Sequence, residues 1–152
     1  MKKDTIIRHA TSTDAEHIIQ FNIAMAKETE NKILPLEIIS VGVKRLLDHP
    51  EYGFYLLAET EGEVAGSLMI TYEWSDWRDG LFWWIQSVYV KPEFRRRGIY
   101  RLLYNHVKMM SENDGNVCGF RLYVEKDNIV AHKTYQSLGM KETNYRMYEE
   151  LV

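Results

Sequence analysis

From Ile85 to Tyr104 the chain reads as an apolar run, a basic turn with one glycine, and apolar residues at helical spacing: Ile99, Leu102, Leu103, Val107 and Met110. This pattern predicts a strand, a turn marked by Pro92 and Glu93, and a helix whose first backbone N–H groups have no partner. Such a row of amides binds phosphate, because the free donors and the positive end of the helix dipole point outward together. Arg95, Arg96, Arg97 and Arg101 add positive charge, and Gly98 allows close backbone approach. The ordinary alternative for an arginine cluster is a solvated turn. No Gly-Lys-Ser/Thr follows and only one glycine is present, so neither the triphosphate loop nor the dinucleotide fingerprint is met.

A second concentration of chemistry lies at 72–84, which holds all four tryptophans of the chain. Glu73, Trp74, Asp76 and Trp77 are the residue types a pocket for a cationic, partly apolar amine uses, since rings attract an ammonium face-on and carboxylates fix its charge. A strand of large core residues with a charged turn at 75–80, or a dimer interface, fits the same residues equally well. Trp83 and Trp84 must point to opposite faces of a strand, so at least one belongs to the core.

Downstream, Arg121-Leu-Tyr-Val-Glu125 reads as a strand, and the stretch from Asn128 to Met140 reads as a helix that Asn128 caps and Gly139 ends. Taken with the first motif, this order resembles the GNAT superfamily of acyl-CoA-dependent N-acetyltransferases. Its phosphate-loop signature, Arg/Gln-x-x-Gly-x-Gly/Ala, is occupied by Arg95-Arg96-Arg97-Gly98-Ile99-Tyr100, with Tyr100 in place of the small residue. Its closing helix, Asn-x-x-Ala-x-x-x-Tyr-x-x-x-Gly-Phe/Met, is matched from Asn128 through Tyr135 and Gly139 to Met140. The nearest pattern is the diamine and polyamine acetyltransferase-like branch.

The resemblance implies acetyl-CoA as co-substrate and a small primary amine, such as a diamine, polyamine or amino-acid-like molecule, as acceptor. Peptide or protein amines, and a noncatalytic CoA-binding module, remain open as alternatives. It places the pantetheine arm along Val88, Tyr89 and Val90, the pyrophosphate on Arg95, Arg96, Arg97, Gly98, Ile99, Tyr100 and Arg101, and Asn128 beside the cofactor. Tyr135 is the implied general acid for the departing thiolate. Its reference pKa of about 10 lies above the thiol's, about 8.5, so the transfer is uphill but feasible. Where the polyamine branch carries a glutamate, this chain has Gln86, which cannot be a base but can hold a water, with Glu73, Asp76, Asp79 or Glu125 as proton sink.

The supporting elements follow from periodicity. Ile6 to His9 predicts a strand, Thr13 and Glu16 a capping box, and Ile18, Phe21 and Met25 the buried side of a first helix. Pro35 to Asp48 predicts a second helix with Ile38, Ile39, Val43, Leu46 and Leu47 inward, and the polar interval Lys27 to Leu34 a flap over the acceptor. Phe54–Glu59 and Val64–Tyr72 predict a hairpin across Glu61-Gly62, followed by a strand from Phe82 to Val90. The expected order is β-αα-βββ-α-β-α-β over a single domain spanning 1–152: an α/β three-layer sandwich with a mixed, mostly antiparallel sheet and a splayed strand pair for CoA.

Composition narrows the setting. With 152 residues, 45% hydrophobic and 27% charged, the chain is long enough to bury a core, and a net charge of -3 gives no reason to expect nucleic-acid binding. The lone Cys118 is expected to be a small buried residue in a reducing cytoplasm. Met1-Lys-Lys-Asp-Thr carries no apolar signal core, and no run reaches membrane-spanning length. The five histidines show no metal-ligand spacing, so no metal is expected; a homodimer is compatible with the pattern.

Overall fold

The computed structural model describes residues 4–152, so the reading of Met1–Lys3 as part of a start without a signal core lies outside the described residues. Along the chain come β1 (Ile6–His9), α1 (Ala15–Glu30), α2 (Leu36–Asp48), β2 (Gly53–Thr60), β3 (Glu63–Ser75), β4 (Gly80–Val90), α3 (Ile99–Asp114), β5 (Val117–Arg121) and α4 (Ile129–Ser137). The strands form one sheet in sequential order, antiparallel except for the parallel pair β4 and β5.

Alternation along the strands feeds two cores. On one face Leu56, Leu68, Ile70, Trp83 and Ile85 pack with Ile99, Leu103 and Val107 of α3. On the other, Tyr55, Leu57, Val64 and Tyr89 pack with Ile18, Ile19 and Phe21 of α1 and Val43 of α2. Helices on both sides of one sheet make the expected three layers. The β2–β3 hairpin turns at Glu61 and Gly62, with φ of 56° and 83°, the left-handed pair that a tight two-residue turn demands.

Several local expectations are corrected. The cap before α1 is built by Thr11 and Asp14 rather than Thr13 and Glu16: the Thr11 N–H donates to Asp14 Oδ2 at 2.7 Å. Arg8 grips the same carboxylate through two bonds of 2.8 Å. Helix α1 runs on to Glu30, leaving only Asn31–Leu34 of the expected flap outside regular structure. Ile38 is exposed, because a helix with apolar residues at 38, 39, 43, 46 and 47 cannot turn all of them to one side. Cys118 is half-buried on β5. β5 ends at Arg121 rather than Glu125, and residues 140–152 form no closing strand.

Candidate active site

The site begins with an irregularity in β4. Ser67 faces Tyr89 and Met69 faces Gln86, so Ser87 and Val88 together oppose the single residue Leu68. Ser87 takes a φ of 51°, and the result is a β-bulge, which bends a strand and leaves backbone groups unpaired. Pairing with β5 stops just before it, at Trp84 and Arg121. From there the strands part, and a cleft of about 650 Å³ opens between Ile85–Val88 on one wall and Leu122–Lys126 on the other. Asn128 and Tyr135 of the α4 region, and Met25, Thr29 and Glu30 from the end of α1, complete its lining.

At the far end of β4 the chain makes a 3₁₀ turn, Pro92–Phe94, and enters α3 through two left-handed residues, Arg96 and Gly98, with φ of 63° and 78°. Among the described residues, the backbone N–H groups from Arg96 to Arg101 donate to no protein atom, and the first bond of the helix runs from Leu102 N–H to the Gly98 carbonyl. A Cβ built on Gly98 would meet nothing within 4 Å, so open space lies before this row of donors. The structure thus joins an anion-binding helix start to a wedge between strands, which suits an elongated ligand with phosphates at one end.

Residues 15–140 match the Acetyltransferase (GNAT) family. The chain belongs to that family. A crystal structure of a possible acetyltransferase from Clostridium difficile 630 is 48% identical over 97% of each chain, with a TM-score of 0.91. This GNAT chain is an acetyl-CoA-dependent N-acetyltransferase. Its fold extends to more distant structures, such as AAC(6')-Iy in complex with the bisubstrate analogue CoA-S-monomethyl-acetylneamine, at 19% identity over 98% of this chain and 99% of that one, TM-score 0.78. A GCN5-related N-acetyltransferase from Ralstonia eutropha JMP134 aligns at 19% identity over 97% of this chain and 99% of that one, TM-score 0.81. No curated protein sequence matches the chain.

Within this acetyltransferase the residues expected to form a phosphate loop differ in how they are engaged. Arg95 is engaged: its Nε donates to the Val90 carbonyl at 2.8 Å, its Nη2 pairs with Glu28 at 2.7 Å, and its guanidinium lies over the Tyr89 ring. Arg97 rests on the Phe94 ring and reaches Glu61 at 3.4 Å. Arg96 and Arg101 make no ion pair among the described residues and extend exposed side chains from the loop and the first helical turn. The side chains of Ile99 and Tyr89 are buried in opposite cores. Tyr100 turns inward too, stacked on Tyr104 and edge-on to Tyr135 at 5.7 Å, so the departure from a small residue is absorbed by the core.

In the cleft, Gln86 donates from its Nε2 to Thr71 Oγ1 at 2.7 Å, which orients its amide oxygen as a fixed acceptor. Val88 stands on the same wall, with Val90 two residues beyond it toward the loop. Asn128 caps α4 by accepting from the Ala131 N–H at 3.2 Å. Burial raises the Tyr135 hydroxyl above the ordinary tyrosine value. Gly139, with φ of 94°, ends the helix as expected, with the Met140 N–H returning to the Tyr135 carbonyl.

The Trp-rich hairpin end is not brought to this cleft. Ser75 and Gly80 pair six residues beyond Gln86 along the sheet, about 20 Å at ~3.3 Å per residue. Trp74 and Trp77 are 60% and 87% exposed, and Asp76 shares their turn. Glu73 is bound by Arg121 at 2.6 Å and by the Trp84 indole N–H at 3.3 Å. Trp83 and Trp84 do point to opposite faces, Trp83 into the core. Sequence reasoning missed Ser87, whose left-handed backbone no residue type announces, and Glu30, masked by its place in a polar stretch.

Proposed function

We propose that this acetyltransferase acts on the primary amine of a small diamine, polyamine or amino-acid-like acceptor, with Tyr135 as general acid. The observation that carries the reading is the shared cleft: Tyr135 and Gln86 line it together with the carboxylates Glu30 and Glu125. Carboxylates around a half-enclosed space favour an ammonium-bearing acceptor. Glu30, at the end of α1, lines the same cleft as Gln86 and is assigned the acceptor's charge, while Glu125 receives the amine proton through water.

Val88, Tyr89 and Val90 offer strand backbone to the pantetheine amides, and the amides from Arg96 to Arg101, with the Arg96 and Arg101 side chains, take the pyrophosphate. Once the amine has lost its proton, its nitrogen attacks the thioester carbonyl carbon. The unpaired backbone of the Ser87–Val88 bulge stabilises the developing oxyanion. As the C–S bond breaks, sulfur takes the Tyr135 proton while the nitrogen gives its second proton to water, and the tyrosine is reprotonated from solvent. Gln86 holds the amine or its water through the amide oxygen. We read 1–152 as one domain, and the lone Cys118 as compatible with a reducing cytoplasm.

The test is release of free CoA from acetyl-CoA across small amines, amino acids and basic peptides. A preference for small polyamines or amino-acid-like amines is expected, and exclusive use of peptides would replace the acceptor class. Tyr135→Phe should lower kcat by roughly 10- to 100-fold with little change in the acetyl-CoA KM, since a thiol leaves tolerably unaided. A wild-type rate would remove Tyr135 from the role of acid.

A further inference from the structure

A second cavity, of about 640 Å³, opens at the end of the sheet where β2 and β4 begin, and it shares no lining residue with the cleft. Three rings on neighbouring strands line it. Tyr72 and Trp83 pair directly across β3 and β4, and Phe54 stands on β2 opposite Ile70, one diagonal step from Tyr72. Their centroids lie 5.5–6.4 Å apart with planes inclined by 48–79°, so the rings stand as walls and none is stacked on another. The His9 ring, tilted against Phe54 at 5.1 Å, extends the set to β1.

The fixed charge around these rings has one sign. Helices α2 and α3 both end at the cavity, which Leu46 and Leu47 line from the last turn of one and Asn113 and Asp114 from the last turn of the other. Helix C-termini carry negative partial charge, and the last turn of α3 has no basic residue to offset it. Asp114 adds a full carboxylate at the exposed rim. It makes no ion pair among the described residues, and among them neither lysine nor arginine lines the cavity. Burial first, and then the Asp114 charge, raise the Tyr72 hydroxyl above its ordinary value, so the carboxylate's field reaches the ring walls.

We propose that this cavity is a second ligand site, separate from the acetyl-transfer cleft, for a small organic cation with a fully methylated nitrogen, of the choline type. Ring faces attract a cation but are poor hydrogen-bond acceptors, so a primary ammonium would leave N–H groups unpaired among them, whereas a quaternary nitrogen carries none. The methyl groups occupy the apolar space beside Phe54, Tyr72 and Trp83, and Asp114 balances the charge from the rim. A quaternary nitrogen has no lone pair with which to attack a thioester, so this ligand is not the acceptor amine.

The test reads binding alone, so it stands or falls apart from the acetyl-transfer reading. Isothermal titration of the full chain compares choline with the neutral alcohol in which carbon replaces the nitrogen. Choline should bind at least about tenfold more tightly, because shape is shared and only the charge differs. Tyr72→Leu should weaken choline by about tenfold, while Tyr72→Phe, which keeps the ring, stays within about twofold of wild type. Asp114→Asn, at an exposed position where folding is not at stake, should weaken it by about threefold or more. Saturating CoA should leave the choline affinity unchanged, since the two cavities share no residue. No saturable choline binding, equal affinity for the alcohol, an affinity that neither Tyr72→Leu nor Asp114→Asn lowers, or displacement of choline by CoA would each overturn the site. So would a choline affinity that falls as protein concentration rises, because a second copy of the chain would then be the occupant.

Discussion

Tyr135 holds its hydroxyl in a half-buried cleft wall, and burial lifts its pKa above the usual tyrosine range near 10. The Tyr135 hydroxyl, the proposed acid, therefore stays protonated throughout neutral and mildly alkaline solution, whereas the proposed acceptor amine, with a pKa near that of lysine at about 10.4, is mostly charged there. The rate kcat/KM should rise with pH as the amine loses its proton, and no descending limb belonging to the acid should appear below about pH 10. A fall centred between pH 8 and 9 would assign the acid to another group. Gly98 is the residue proposed to govern the other end of the ligand. Its φ of 78° is strained for any L side chain by about 1–2 kcal/mol, and a Cβ there has room but occupies the space in front of the amides. Gly98→Val should weaken acetyl-CoA binding by at least about tenfold in a titration, with a far smaller effect on folding than a core truncation causes; unchanged affinity would separate the loop from phosphate binding.

At the scale of elements, Arg8 of β1 clamps the start of α1 to the neighbouring strand β2, pairing with Asp14 and with Glu59, each at 2.8 Å. The hydrogen bonds from Arg8 are the largest cause of an Asp14 carboxyl held down to about 2. Its unfolded value is near 4, so the clamp contributes stability above about pH 4 and loses it as pH falls from 4 to 2. The difference corresponds to about 2 kcal/mol, and Asp14→Asn should abolish that part of the acid dependence in denaturant titrations run at pH 5 and pH 2.5. An equal pH dependence in the variant would place the acid sensitivity elsewhere. This clamp also illustrates what was legible beforehand. β1, α2 and the β2–β3 hairpin follow from local periodicity and a Glu-Gly turn, and the α3 start from its arginines and glycine. The Thr11–Asp14 cap depends on Arg8 reaching across from a strand, and the Ser87 bulge on the whole register of β3 against β4, so neither is written in a short window of sequence. The Trp-rich hairpin end stands apart for a related reason: strand length puts residue types suited to an amine about 20 Å from the wedge.

Across the whole molecule, burial is uneven in a way that predicts how ligand binding redistributes stability. β2, β3 and the first half of β4 are sandwiched between α3 and the α1–α2 pair and carry most fully buried side chains. The β5–α4 side has none at all, and β4–β5 pairing ends at Trp84 and Arg121, so Leu122–Lys126 are not tied to β4. Such a region opens locally at a small free-energy cost, well below that of global unfolding. A ligand spanning the wedge from Val88 to the α3 start bridges the well-buried and poorly buried parts, and at about 100 times its dissociation constant it adds roughly 2.7 kcal/mol to the stability of the bound state. Because fully buried central strands are expected to exchange only through global unfolding, the fastest gain should fall on segments that open locally. Hydrogen exchange with and without acetyl-CoA should accordingly show the largest early slowing at 96–102 and 122–138, with β2 and β3 changing only at long times. Uniform slowing across the chain would mean that the β5–α4 side is already locked to the sheet, and that the wedge is a rigid slot rather than a compliant one.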